Sequence, residues 1–375
     1  MNSIALLLNT ININKKNLNI EIFSDEDIQM AIDSGMGAYL NYCIYNTKTT
    51  KLYKKILSAD LTAKIITNTQ LRALQEIINI TAGSVDEIIL MKGISICQNY
   101  YPHPHFRIMG DIDLLVSEKD QSTIENALLK IGYQQELKSS SDNNFFKTHH
   151  HSIPFYNKIN NVWVEVHTHL FSQSSFAIKD NLFDLKNIKN NCIPVNNKNY
   201  SVKIKCLRPE LQLIHTCAHW AEDFNINKGL IQMVDMMLII KNNNKGLDWK
   251  NVLDSVNNTV SASYLYIILE YFKKNKINLN QPDYSRYIEL KYSNMGYLNK
   301  SILFFIIDRF LHKKRFLYKF INENILEIMW YTLLQPKASF FNIIVLPWNI
   351  LFPPHIKSRY NFSFLIRRII HMSKP

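Results

Sequence analysis

Asp111 and Asp113 stand two residues apart at the start of an apolar run, Ile112 to Val116. On a β-strand, side chains two apart share a face. Two carboxylates projecting together from a hydrophobic strand repel unless a proton or a cation lies between them. Hard oxygen ligands at this spacing suit Mg²⁺, which takes one or two protein carboxylates together with substrate phosphates. On that reasoning, neutralising either aspartate relieves a repulsive pair and raises thermal stability in the absence of metal.

The residues around the pair extend the chemistry. Ile88–Met91 reads as a short buried strand that ends at Lys92-Gly93, and a helix-compatible stretch, Ile94–Tyr101, follows. A strand running through glycine into a helix leaves free backbone N–H groups at the helix start. With Lys92 beside them, these groups suit an anion such as a triphosphate. Arg107 either contacts phosphate or pairs with a carboxylate to shape the loop before Gly110. Gly110 allows close backbone approach just ahead of the first aspartate. A third carboxylate comes from residues 162–169, VWVEVHTH, which alternate strictly. Val162, Val164 and Val166 are expected to face a core, while Trp163, Glu165, His167 and His169 face the other way. Glu165 is therefore the natural companion of Asp111 and Asp113.

The histidines and one buried acid leave alternatives open. In His149-His150-His151, alternation sends His149 and His151 to one face and His150 to the other, so three consecutive residues do not converge on one ion. A polar cleft wall, with His151 available to substrate, is favoured over a metal cluster. His215 and His219 lie four apart and share a helical face. The intervening residues read Thr-Cys-Ala, without the glutamate of a zinc-protease helix. Packing near the site or contact with substrate is favoured over zinc. Asp235, inside the apolar helical run Met233–Ile240, is either a buried partner for a nearby His or Lys or an orienting group for the acceptor or His219.

Taken together these residues resemble the nucleotidyltransferase superfamily, with its glycine, DxD and third-carboxylate pattern. More closely, they resemble the bacterial group labelled uncharacterised nucleotidyltransferase. The matching strings are Leu90-Met91-Lys92-Gly93, Arg107-x-Met109-Gly110-Asp111-Ile112-Asp113-Leu114-Leu115-Val116, Gly132-Tyr133, Val164-Glu165-Val166-His167 and the helical stretch from Pro209 with His215 and His219. Glu165 stands where the group more often carries aspartate. The resemblance implies an α+β fold: a small mixed sheet flanked by helices, with a largely helical C-terminal domain. It implies two Mg²⁺ ions held by Asp111, Asp113 and Glu165, with an NTP such as ATP as co-substrate. NTP contacts are expected from Lys92, Gly93, Arg107 and Gly110. A peptide or small-molecule acceptor is expected near His151, His167, His219 and Asp235. The rival from another class is a nucleotidyltransferase-like binding protein for a peptide or nucleic acid that has lost turnover.

Length and composition set the frame. The 375 residues are enough for a large core and two or three units: a helical region over 1–83, the nucleotidyltransferase core over 84–205, and a helical acceptor-binding region over 206–375. The formal charge of +12 invites a nucleic-acid partner, yet Lys, Asn and Ile are abundant throughout and the basic residues are dispersed. A solvated basic surface is favoured over a dedicated nucleic-acid track. Five cysteines without CxxC spacing fit a reducing cytoplasm. The longest late apolar stretch, 340–352, is broken by Asn342, Pro347 and Asn349, so no transmembrane segment is expected.

Within the core, Ser117-Glu118-Lys119-Asp120 predicts a helix start, with the helix ending at Gly132. Polar turns are expected at 139–144 and 157–161, the latter between two hairpin strands. Residues 187–200 read as a connection with a short strand at its end. Pro209 suits a first helical turn, and Asp248 suits a cap.

Overall fold

The computed structural model describes residues 7–9, 11, 20–44, 51–136, 152–171, 185–195, 203–222, 229–243, 246–279, 295–311 and 323–335. The His149–His151 run, the turn at 139–144 and the stretch 340–352 lie outside the described residues. Helix α1 (Asp25–Asp33) starts at a capping box formed by Ser24 and Asp27. It leads through α2 (Gly37–Cys43) to the long α3 (Lys51–Thr81). The core follows: β1 (Glu87–Leu90), α4 (Lys92–Asn99), β2 (Ile112–Leu115), α5 (Glu118–Lys130), β3 (Gln134–Gln135), β4 (Phe155–Asn157) and β5 (Val162–His167). Then come α6 (Leu185–Asn190), β6 (Cys192–Pro194) and β7 (Lys203–Leu207). The C-terminal helices are α7 (Pro209–Glu222), α8 (Gly229–Lys241), α9 (Trp249–Val256), α10 (Val260–Lys274), α11 (Tyr297–Leu311) and α12 (Glu323–Leu333).

The seven strands form one mixed sheet in the order β3-β4-β5-β2-β1-β7-β6. Strand β2 lies between β5, which is parallel to it, and β1, which is antiparallel. The β4–β5 hairpin turns at residues 158–161, where Asn157 Oδ1 accepts from the N–H groups of Ile159 and Asn160. Helix α5 ends where the sequence places its stop, at Gly132 with φ of +86°. Asp248 caps α9 by accepting from the Asn251 N–H. Residues 196–200, where the short strand is expected, lie outside the described residues. In place of the expected connection, α6 and the edge strand β6 occupy 185–194, with β6 antiparallel to β7. Pro194 is tolerated there because an edge strand has N–H positions that need no ladder partner.

Alternation divides the sheet into two faces. Ile88, Leu90, Ile112, Leu114, Val162, Val164 and Val166 pack with Leu74, Ile77 and Ile78 of α3 and with Ile124 and Leu128 of α5. Each such buried side chain contributes about 1.5–3 kcal/mol. On the opposite face Ile89, Leu115 and Leu207 join a larger cluster that includes Tyr39 and Leu40 of α2, Leu213 of α7, Met236 of α8 and Phe272 of α10. The N-terminal and C-terminal helices thus share one core over the face to which Asp113, Glu165 and His167 also belong. The fold is α+β.

Candidate active site

Parallel pairing of β2 and β5 sets Asp113 directly beside Glu165. Two residues on, His167 turns back toward the same pair. Its Nε2 lies 3.0 Å from Asp113 Oδ1 and 3.4 Å from Glu165 Oε2. Lys92 reaches across from the start of α4, with Nζ 2.6 Å from Asp113 Oδ1 and 3.8 Å from Glu165 Oε2. Asp113 is 1% exposed, so burial opposes its charge. The Lys92 ammonium and the His167 hydrogen bond outweigh that opposition and hold the carboxyl well below the usual range. An ionised carboxylate only accepts, so His167 Nε2 carries the hydrogen and donates. Lys92 is pushed down by burial and pulled up further by Asp113, Glu165 and Asp111 in turn, so its charge is held firmly. This pairing reverses one expectation. Neutralising Asp113 removes an ion-pair partner from Lys92, so it costs stability instead of relieving repulsion.

The turn into α4 explains how Lys92 gets there. Met91 donates its N–H to the Asp113 carbonyl at 3.2 Å, which ties the end of β1 to β2. Lys92 then adopts φ of +45°, a left-handed conformation that is costly for a residue with a side chain. Gly93 is buried, and a Cβ built on it falls 2.8 Å from both Arg107 Nη1 and Met109 Cγ. Glycine is required there by close approach, with Arg107 as the obstacle. The guanidinium is held in turn by Asp235 of α8: Nη2 to Oδ2 at 2.9 Å, and Nε to Oδ2 and Oδ1 at 3.3 and 3.4 Å. Arg107 Nη1 also donates to the Ile108 carbonyl at 3.0 Å, and Tyr101 donates its hydroxyl to Asp235 Oδ1 at 2.7 Å. Of the alternatives the sequence leaves open for Arg107, the structure puts it on a carboxylate; Asp235 is a buried partner, but of Arg107 and not of the His or Lys expected.

These residues surround a cleft of about 410 Å³. Lys92, Gly93, Gly110, Asp111, Asp113 and Glu165 line one side, and His215, His219, Gln232 and Asp235 line the other. Asp111 sits just before β2, half-buried, on the cleft wall. His215 is fully buried and His219 half-buried, with their rings stacked at 6.3 Å. Burial, then His219 and Lys92, depress the His215 pKa well below its ordinary value, so it stays neutral. His169 is exposed and faces Glu118 at 3.9 Å. His151 lies outside the described residues. The sequence reading did not anticipate Tyr101, or the wall formed by Asp33, Ser34 and Gly35 from the N-terminal helices. The Asp-Ser-Gly turn signal was its only local trace.

The donor set is suited to a divalent cation. Among the described residues, Asp113, Glu165 and His167 offer ligand atoms that all lie within 4.8 Å of one another. Asp113 Oδ2 is buried and has no hydrogen-bond partner among the described residues. Three carboxylates (Asp111, Asp113, Glu165) face one ammonium, so acidic groups outnumber Lys92 there, and a divalent ion would offset the excess. Carboxylate oxygens predominate among the donors, and the donating His167 orients Asp113.

The site thus sets a largely buried Asp-Glu-His group and a Lys-Gly helix start on the cleft-facing side of a mixed sheet. The chain belongs to the family described as uncharacterised nucleotidyltransferase, whose family model matches residues 24–275. No curated protein and no solved structure matches it. Among the described residues, no helix is long and apolar enough to cross a membrane.

Proposed function

We propose that the protein transfers a nucleoside monophosphate from an NTP to a nucleophile, typically a hydroxyl, on a peptide or small-molecule acceptor. The observation that carries this reading is the buried Asp113, with its orphaned Oδ2, set beside Glu165 and the Lys92-Gly93 turn at the wall of one cleft. Asp111, Asp113 and Glu165 would hold Mg²⁺, two ions by the family resemblance. The metal supplies neutralisation of the triphosphate and a lowered pKa for the acceptor hydroxyl.

The chain's own residues do the rest. The backbone at Gly93 approaches the phosphates closely, and the ammonium of Lys92 offsets their charge. His167 fixes the rotamer of Asp113 through its Nε2–H. Arg107 and Asp235 brace Gly93 from behind. Glu165, on the cleft side of the sheet, accepts the acceptor's proton as the oxygen attacks the α-phosphorus. The bond to the bridging oxygen breaks, and pyrophosphate leaves with the electron pair. Helix α7 faces this centre across the cleft, and His219 contacts the acceptor from there. All five cysteines are free, which supports a reducing cytoplasm as the working compartment.

Calorimetry with each NTP, with and without Mg²⁺, tests the reading. Mg²⁺-dependent NTP binding is the expected result. Salt-sensitive RNA or DNA binding with no NTP binding would replace this reading with that of a binding protein.

A further inference from the structure

Lys92 occupies a place that the nucleotide-binding role alone does not explain. Its ammonium bonds to one oxygen of Asp113 and approaches Glu165, two of the three carboxylates that would hold the metal. It leaves Asp113 Oδ2 unmatched. A single positive charge cannot balance three carboxylates, yet without it Asp113 would be a buried charge with no counter-ion. A divalent cation arriving at Asp113 meets the ammonium on the same carboxylate, and two cations there repel. The lysine stem has four rotatable carbons, so the ammonium can leave while the backbone stays in place. That backbone is held in a left-handed conformation at the first residue of α4, which sends the side chain back over β2 and β5.

We infer that Lys92 is a resident counter-cation that guards the metal carboxylates and moves onto the triphosphate when the divalent ion takes its place. This rests on the nucleotidyltransferase reading and deepens it. Metal alone must displace the ammonium at a cost. An NTP arriving with the metal gives the displaced ammonium a new anionic partner. Metal and nucleotide therefore bind with positive coupling, each favouring the other. The site is kept from binding divalent ions unproductively when no nucleotide is present.

The test is Mn²⁺ affinity, measured by electron paramagnetic resonance or calorimetry with and without ATP, on the wild type, Lys92→Met and Lys92→Arg. The competing charged hydrogen bond sets the scale. In the absence of ATP, Lys92→Met should bind Mn²⁺ about tenfold to a hundredfold more tightly than the wild type. In the same variant ATP should raise Mn²⁺ affinity by clearly less than it does in the wild type, because only direct phosphate ligation of the metal remains, whereas Lys92→Arg keeps the weak wild-type affinity. Thermal melting provides the second measurement. Lys92→Met should melt lower than the wild type in EDTA and recover with Mn²⁺.

Equal or weaker Mn²⁺ binding by Lys92→Met, where the wild type binds the Mn²⁺–ATP pair, overturns the inference and leaves the nucleotidyltransferase reading standing. Loss of folding that Mn²⁺ does not restore also overturns it, because Lys92 would then be purely structural. If the wild type binds Mn²⁺ neither alone nor with any of the four NTPs, the nucleotidyltransferase reading fails and this inference fails with it.

Discussion

Replacing Asp235 with alanine should be among the most damaging single changes that leave the carboxylates intact. Asp235 is 1% exposed and Arg107 only 14%, so both ends of the pair are withdrawn from water. Removing the acid strands a buried guanidinium, which costs about 3–5 kcal/mol. The Tyr101 hydroxyl also loses its 2.7 Å acceptor, a loss of about 1–3 kcal/mol if the group stays buried. The two losses share one network and do not simply add, so about 4 kcal/mol is expected in all. That is a large share of the roughly 5–15 kcal/mol that holds a typical fold together. At about 2–4 °C per kcal/mol, the melting temperature should fall by roughly 10 °C.

The double variant Arg107→Met with Asp235→Leu separates charge from packing. It removes both ions and refills the space, so most of the lost stability should return. Nucleotide binding should not return, because Gly93 has lost the guanidinium that backs it. Chemical denaturation gives the stabilities and calorimetry the NTP affinities. An Asp235→Ala protein within about 1 kcal/mol of the wild type would refute the reasoning, since no buried pair of this kind could then exist. A double variant that binds NTP normally would show that Arg107 plays no part in shaping the Gly93 turn.

Two further outcomes follow from the same geometry. His215 stays neutral in the folded protein while the unfolded chain takes up a proton near pH 6.5, so stability should fall as pH drops below about 6.5 and stay flat above it. His215→Gln should reduce that slope by up to about 1.4 kcal/mol per pH unit, seen as a flatter melting profile between pH 7 and 5, and an unchanged profile would contradict the burial argument. Gly93→Ala places a Cβ 2.8 Å from Arg107 Nη1, on a guanidinium that Asp235 and the Ile108 carbonyl hold in place, so it should cost about 1–3 kcal/mol and weaken NTP binding measurably by calorimetry.

Much of the centre was legible because strand periodicity is short and strict. The alternation of Val162, Val164 and Val166 against Glu165 and His167 placed Glu165 on the right face without any structure, and β5 follows it. The Lys-Gly step after Ile88–Met91 located a strand-to-helix turn, and Gly132 located a helix end. What the sequence could not supply were pairings between distant segments. Nothing local says that Lys92 reaches Asp113, 21 residues away, or that Arg107 meets Asp235, 128 residues away. The sign expected for the Asp113 stability effect turns on the first of these, a partner that the repulsion argument lacked. The edge strand β6 lies earlier in the 187–200 stretch than the strand expected at its end, because its apolar signal is only Cys192-Ile193 ahead of a proline. The contribution of α2 and α3 to the two faces of the sheet likewise depends on packing that helical periodicity does not encode.

The central claim is that Asp113 and its neighbours carry metal-assisted transfer of a nucleotide. The most direct measurement incubates the protein with each α-labelled NTP, Mg²⁺ and a cell extract as acceptor source, in parallel with Asp113→Asn and with an EDTA control. Mass analysis then identifies whatever carries the label. The account predicts a labelled acceptor and released pyrophosphate for the wild type with one or more NTPs, and none for Asp113→Asn or in EDTA. Undiminished labelling by Asp113→Asn, its fold verified by melting, would contradict the assignment of the site. Absence of any NTP-derived label from the wild type, together with absence of Mg²⁺-dependent NTP binding, would contradict the proposed function itself.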